Sequence, residues 1–168
     1  MKLSLKDRLI LANQYRILEH VDTTGSNQYG LFAEILERGY TNLYSELTQT
    51  LWDDMDISIS ESVFEILNLY REIEGYKKAN PQDTKVCNHA SADLPGFDGN
   101  HEGEHRSFAL FLVRQMGKYQ EQVPIMKRTK LNSHTPMLGR YARMLTVWDR
   151  MGNKNSLSHD EVLAILNA

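Results

Sequence analysis

The segment from Ser133 to Trp148 constrains the fold of this chain more than any other. Thr135 can accept a hydrogen bond from a free backbone N–H group at a helix N-terminus, and Pro136 follows at the first helical position, where it has no N–H to lose. Apolar side chains then recur three, seven and ten residues after the first of them: Leu138, Tyr141, Leu145 and Trp148. This spacing predicts a capped helix with a wide apolar face, and therefore a packed helical protein.

Other segments carry the same helical signals. Three pairs have the spacing of capping boxes and predict helix starts: Ser4 with Asp7, Ser58 with Glu61, and Ser158 with Glu161. Gly39 predicts the end of a second helix, and Pro124 predicts the end of a long helix over residues 101–122. Because no alternating strand pattern is present, we predict an all-α, multihelical fold.

The stretch from Asn80 to Asn100 lacks apolar periodicity and is rich in turn-forming residues. A connection of this length without structure is uncommon inside a compact domain. We therefore predict two packed helical subdomains, residues 1–80 and 81–168, with the boundary in this loop.

Composition excludes several classes of protein. The 168 residues are 41% apolar and 24% charged, as in a soluble globular protein, and the net charge of −3 offers no general attraction for nucleic acid or anionic membranes. The single cysteine, Cys87, excludes an internal disulfide. Asp7 and Arg8 interrupt any signal-peptide core, and no apolar run approaches the ~20 residues of a membrane span. We expect a cytoplasmic protein without a membrane segment.

The pentapeptide His101-Glu102-Gly103-Glu104-His105 matches the H-E-x-x-H pattern of zinc peptidases. On a helix this spacing places both imidazoles on one face, and the glutamate acts as base on a zinc-bound water. Here the motif lies at a predicted helix start, Gly103 lowers helix propensity, and the third histidine of the longer zinc motif is missing. We expect no cofactor, and keep as an alternative a zinc-dependent hydrolase with ligands His101 and His105 and base Glu102.

Residues 42–78 have the outline of a helix-turn-helix motif. The second helix would carry Arg71 against four acidic residues, Glu61, Glu65, Glu72 and Glu74, where phosphates require cations. We therefore do not expect nucleic-acid binding, although a nucleic-acid-associated regulator remains an alternative. A basic group does follow later and could hold a phosphate or carboxylate near Thr135: Lys127, Arg128, Lys130, Arg140 and Arg143.

Six segments of the chain carry a resemblance to one protein family. In order, they are Arg8–Tyr15, Glu37–Tyr40, Gly96–Asp98, His134–Met137, Tyr141–Leu145 and Leu157–Ser158. Their order and spacing resemble the YfbU family of uncharacterised bacterial proteins over essentially the whole chain. The resemblance implies one all-helical, cytoplasmic domain over residues 1–168 and no catalytic activity. Some related chains join this domain to a helix-turn-helix segment, which implies a possible ligand-binding role.

Polar and aromatic side chains beside apolar rows have the makeup of a binding pocket. The candidate residues are Asn13, Tyr15, Arg38, Tyr40, Phe97, Asp98, His134 and Arg140. Asn13 and Tyr15 could equally join the first two helices, and Phe97 and Asp98 could be a staple and a cap. We predict a non-enzymatic domain that binds a small ligand or a protein partner. Met and Tyr at apolar positions predict a homo-oligomer.

Overall fold

The computed structural model describes residues 2–22, 24–153 and 155–168. In these ranges the fold is all-α, as predicted, with eight α-helices: α1 (Leu5–Val21), α2 (Ser26–Arg38), α3 (Ile57–Ala79), α4 (Thr84–Cys87), α5 (Gly103–Leu110), α6 (Val123–Thr129), α7 (Leu138–Arg150) and α8 (His159–Leu166). Shorter helical turns are the 3₁₀ segments Thr41–Leu43, Glu46–Thr48 and Gln120–Gln122 and the π-helical turn Phe111–Gln115. Strand-type pairing within the described ranges is limited to one bridge, between Phe97 and Asn132.

The chain divides into two compact units, the first ending at Asp54 and the second beginning at Met55. This division differs from the boundary predicted in the loop 80–100, which belongs wholly to the second unit. The reason is that Leu94 and Phe97, inside that loop, are completely buried in the core of the second unit. The loop is therefore part of the packed structure and not a linker.

The first unit is built on a hairpin of α1 and α2. The predicted capping box is present, with Asp7 N donating to Ser4 Oγ and Ser4 N donating to the Asp7 carboxylate. At the same end of the hairpin, beside Arg8, Gly39 terminates α2 in the left-handed conformation that glycine adopts easily, with φ of 71°. Arg8 joins the two helices, because its Nε donates to the carbonyl oxygen of Leu36 at 2.7 Å.

The second unit is organised around α3. One face of this helix is buried, and it supplies much of the core: Val63, Ile66, Leu67, Leu69, Tyr70 and Ile73. Helices α5 and α7 pack against it. The predicted capping box at Ser58 is wrong, since Asp56 caps α3 and its Oδ1 accepts from Ser58 N at 2.8 Å. At the far end of the unit, the capping box of Ser158 with Glu161 is present as predicted.

The long helix predicted over residues 101–122 is interrupted. Helix α5 passes into the π-helical turn after Leu110, and Gly117 and Tyr119 then take positive φ values of 65° and 52°. The buried Tyr119 is held there because its hydroxyl donates to Asn68 Oδ1 at 2.9 Å. Pro124 consequently lies in the first turn of α6, where its missing N–H costs nothing, and does not mark a helix end. Across the described residues, each helix is too short or too polar to cross a membrane.

Candidate functional site

Two distant segments of the second unit meet beside the start of α7. Phe97 N donates to the carbonyl of Leu131 at 3.0 Å, and Ser133 N donates to the carbonyl of Phe97 at 3.2 Å. Gly96, with φ of 93°, allows this approach, because a Cβ atom at that position would overlap the carbonyl group of Leu131. The pairing of these two segments therefore requires glycine at position 96.

Two side chains fix this pairing further. Asn132 Oδ1 accepts from the backbone N–H groups of Gly99 at 3.2 Å and His134 at 3.1 Å. Tyr141 donates its hydroxyl to the carbonyl oxygen of Gly96 at 2.5 Å. Burial raises the pKa of Tyr141 well above its usual value, so its hydroxyl remains protonated as a donor. Several of the segments that carry the family resemblance thus converge on one structural cluster.

Glu102 is the central residue of this cluster. Its side chain is buried, and Oε1 accepts from Met137 N at 2.6 Å and Leu138 N at 2.9 Å, while Oε2 accepts from Asp98 N at 2.9 Å. The carboxylate therefore caps α7 from a remote position, where the positive end of the helix dipole also favours it. The predicted cap at Thr135 is wrong, because α7 begins three residues later, at Leu138.

Asp98 lies next to two histidines at the surface of the same cluster. Its Oδ2 is 2.5 Å from His101 Nδ1, and its Oδ1 accepts from Asn100 N at 3.1 Å. The hydrogen bond from His101 is the main reason that the pKa of Asp98 is lowered, and the charge of His134 adds to the effect. The structure therefore brings three predicted site residues, Phe97, Asp98 and His134, into one neighbourhood.

The H-E-x-x-H residues do not fit a zinc site. His101 precedes α5, which begins at Gly103, so the two histidines do not share one helical face. His105 stacks on the ring of Phe97, with a centroid distance of 5.9 Å, while Glu102 is occupied by backbone N–H groups. Within the described ranges, no three His, Cys, Asp or Glu side chains are grouped so that they could hold a metal ion. The zinc-hydrolase alternative is therefore not supported.

A groove runs between α3 and α7, also within the second unit, with a volume of about 660 Å³. We call it the α3/α7 groove. Its apolar surface is formed by six side chains: Ile59, Ile66, Leu138, Ala142, Leu145 and Trp148. Tyr141 and polar side chains complete the lining: Ser58, Ser62, Glu65, His105, Thr146, Asp149 and Asn153.

The charged groups of this groove are mainly acidic. Glu65 on α3 and Asp149 on α7 are both exposed carboxylates. Burial lowers the pKa of His105, against the opposing effect of Glu102 and Glu104, so its ring is neutral near pH 7. The described lining contains no Lys or Arg. The groove can therefore accept an apolar group together with a neutral or cationic one.

Four of the predicted site residues lie in the first unit and are separate from this groove. Asn13 and Tyr40 are exposed, and Arg38 is paired with Glu34 of its own helix at 2.9 Å. Tyr15 packs edge-on against Phe32, with ring centroids 5.3 Å apart. It therefore contributes to the α1–α2 contact, as the sequence had allowed. Whether any of these side chains binds a ligand stays a prediction.

Arg140 is the remaining predicted site residue. Its hydrogen bonds do not bring it together with the other basic residues in one site. Its Nη2 donates to Ser91 Oγ and to the carbonyl of Leu166 at 3.2 Å. Among the neighbouring cations, Arg128 pairs with Asp93 at 2.9 Å, and Arg143 bonds backbone carbonyl groups. These contacts give the basic residues separate structural roles.

The residues that sequence reasoning missed are the polar ones along the groove. Ser58, Ser62 and Glu65 follow one another at helical spacing on α3, and they stand beside the apolar Ile59 and Ile66. That spacing was visible in the sequence, but the facing helix was not. A polar row becomes the edge of a groove only when a second helix lies opposite it.

Comparison with known proteins extends the sequence resemblance. A family model described as the YfbU domain matches residues 1–168. The chain is also 38% identical, over 169 aligned residues, to the UPF0304 protein MJECS11 of Methanocaldococcus jannaschii, and the alignment covers 99% of each chain. The match spans both compact units and includes the cluster around Glu102. This chain therefore belongs to the YfbU family.

Proposed function

We propose that this protein binds a small amphipathic ligand in the α3/α7 groove and is not itself an enzyme. The observation that carries the proposal is the groove, whose volume of about 660 Å³ suits a small organic molecule. Its lining combines six apolar side chains and Tyr141 with seven polar side chains, so that one molecule with an apolar and a polar part can contact both kinds. A cytoplasmic location, expected from the sequence, is part of the same proposal.

The charges around the groove favour a ligand whose polar end is neutral or cationic. Glu65 and Asp149 stand on opposite walls, one on α3 and one on α7, and both attract a cation and repel an anion. A neutral His105 ring cannot offset these two carboxylates. We therefore propose an apolar body with an amine-like or hydrogen-bonding head group.

The contacts of the nearby ionisable groups support a binding role over a catalytic one. Glu102, the candidate base, is buried and already accepts three backbone hydrogen bonds. Tyr141 is likewise engaged, through its bond to Gly96. A general base must be free to reach a proton of the substrate, and neither residue has that freedom.

The groove contains its own spectroscopic reporter. Trp148 lines it and is 7% exposed, whereas Trp52, in the first unit, is 95% exposed. In a Trp52→Phe protein, tryptophan emission reports the groove alone. We expect titration with octylammonium to change this emission saturably, with a Kd at least tenfold lower than that for octanoate, which has a similar chain and the opposite charge.

A pair of alanine substitutions tests the location. Ala142 lies in the groove on α7, and Ala164 is exposed on α8 outside it. Ala142→Leu fills part of the groove and should weaken octylammonium binding at least tenfold, while Ala164→Leu should leave it unchanged. Absence of saturable binding by either probe, or equal effects of the two substitutions, would contradict the proposal.

A further inference from the structure

The first unit buries few apolar side chains of its own. In its described part these are Ala12, Ala33, Leu36 and Tyr44. This is a small core for a unit that ends at Asp54, and oligomerisation is one common way to add buried apolar surface. In contrast, most large aliphatic side chains of α1 are exposed to solvent: Leu5, Leu9, Ile10, Ile17, Leu18 and Val21.

Three of these side chains form a row on the side of α1 opposite α2. Each residue of the row comes two positions after a residue that faces α2: Ile10 after Arg8, Ile17 after Tyr15, and Val21 after Glu19. Two residues turn a helix by about 200°, which places the row on the far side. We call this row, together with the exposed Leu9 and Leu18 on its two edges, the outward face of α1.

The outward face supplies much of the apolar surface that a stable interface requires. A specific interface covers roughly 800 Å² per partner and is about 60% apolar, so it needs on the order of 500 Å² of apolar surface. Burying one aliphatic side chain removes on the order of 100 Å² of apolar surface from water. Five side chains of this face, Leu9, Ile10, Ile17, Leu18 and Val21, are between 39% and 75% exposed and supply more than half of that requirement.

The spacing of the row is self-complementary. Ile10 and Ile17 are equally distant from a point between Asn13 and Gln14, which lies half a residue from the middle of the helix. Two copies of α1 packed antiparallel would therefore place Ile10 of each copy against Ile17 of the other, as a two-fold interface requires. The amide side chains at the centre could then hydrogen-bond across the axis and fix the register.

The charges of α1 are compatible with this arrangement. Between Ile10 and Ile17 the one charged residue is Arg16, whose guanidinium is paired with Glu37 of α2 at 2.8 Å. No like charges would therefore meet at the centre of a self-paired face. We propose that the outward face of α1 binds a second copy of this chain, antiparallel and through a two-fold axis.

The mass of the full chain in solution tests this proposal. Analytical ultracentrifugation should give twice the single-chain mass of 19.4 kDa for the wild type. Ile17→Lys should shift the protein to the single-chain mass with unchanged helical circular dichroism, because residue 17 is exposed and its replacement costs little folding stability. Ile57→Lys is the matched control, since Ile57 is an equally exposed isoleucine at the start of α3, and it should leave the mass doubled.

The register is tested by a cross-link. In a Cys87→Ser background, Gln14→Cys lies near the proposed axis and should form a disulfide between copies, whereas Lys6→Cys, far from the axis, should not. A single-chain mass for the wild type at 50 µM would overturn the proposal. A doubled mass that Ile17→Lys leaves intact, or a cross-link from Lys6→Cys and none from Gln14→Cys, would overturn it as well.

Discussion

Glu102 accepts hydrogen bonds from the backbone N–H groups of Met137 and Leu138, and so caps α7 across 35 residues of sequence. The same carboxylate also accepts from Asp98 N, so that one side chain satisfies three donors in a buried place. The contact joins the start of α5 to the start of α7. It therefore positions one wall of the α3/α7 groove.

Replacing this carboxylate should destabilise the fold strongly. Glu102→Ala leaves one buried and two partly buried N–H groups without this acceptor, and we expect a loss of roughly 2–4 kcal/mol in the free energy of unfolding. Urea denaturation followed by circular dichroism measures it. Glu104→Ala is the control, because Glu104 is exposed two residues away, and its effect should stay within about 0.5 kcal/mol. Equal stability of the two variants would contradict the capping role.

Adding a methyl group at residue 96 should lower the free energy of unfolding, whereas adding one at residue 75 should raise it. Gly96→Ala places a Cβ against the backbone of Leu131 at a positive φ, and should cost more than about 2 kcal/mol. Gly75 lies inside α3 with open space around it, so Gly75→Ala should gain about 0.5–1 kcal/mol. Thermal unfolding of both variants checks the signs. Two changes of the same sign would contradict the close approach at Gly96.

Asp83 should make the free energy of unfolding depend on pH in the acid range. Its carboxylate accepts from the Tyr76 hydroxyl at 2.7 Å and contacts His159 Nδ1 at 2.6 Å, and these bonds lower its pKa to about 2. A folded-state pKa below the unfolded value of ~3.9 means that the stabilisation is complete above about pH 5 and is lost as the pH falls toward 2.

The comparison with Asp83→Asn isolates this contribution. The difference in Tm between the wild type and Asp83→Asn should shrink as the pH falls from about 5 to 2. A difference that stays constant down to pH 2 would refute the assignment to Asp83.

The amide of Gln122 offers a stabilising substitution. Neither Nε2 nor Oε1 has a hydrogen-bond partner among the described residues, although the side chain is completely buried. Replacing it with an apolar side chain of similar shape removes this unpaired amide, so Gln122→Met should stabilise the protein by about 1–2 kcal/mol. Denaturant unfolding measures the effect, and Gln115→Met, at an exposed position, is the control. A destabilised Gln122→Met protein would show that the amide has a hydrogen-bond partner.

Some local features of the fold could be predicted from the sequence, because their signals lie within one helical turn. The Ser4–Asp7 and Ser158–Glu161 capping boxes are of this kind, and so is the end of α2 at Gly39. The Ser58–Glu61 box and the Thr135 cap rest on signals of the same kind, and both predictions are wrong. The interruption after α5 was missed although Gly117, with a φ of 65°, is a local stop signal like Gly39, whereas the contact of Tyr119 with Asn68, 51 residues away, has no local signal.

The candidate site was harder to predict for the same reason. The H-E-x-x-H spacing indicates metal only if a helix already includes both histidines, and α5 begins after the first of them. The role of Glu102 depends on α7, which lies more than 30 residues further along the chain. The groove itself exists only where α3 and α7 face one another.

The most direct test of the proposed function is a methyl NMR titration with octylammonium. The account predicts saturable shifts of the Leu138, Leu145 and Ile59 methyl signals, which line the groove, and none for Leu36, which is buried in the first unit. Glu65→Gln combined with Asp149→Asn should weaken the same titration at least fivefold. Shifts confined to residues outside the groove, or no saturable shift at all, would contradict the claim that α3 and α7 form a ligand site.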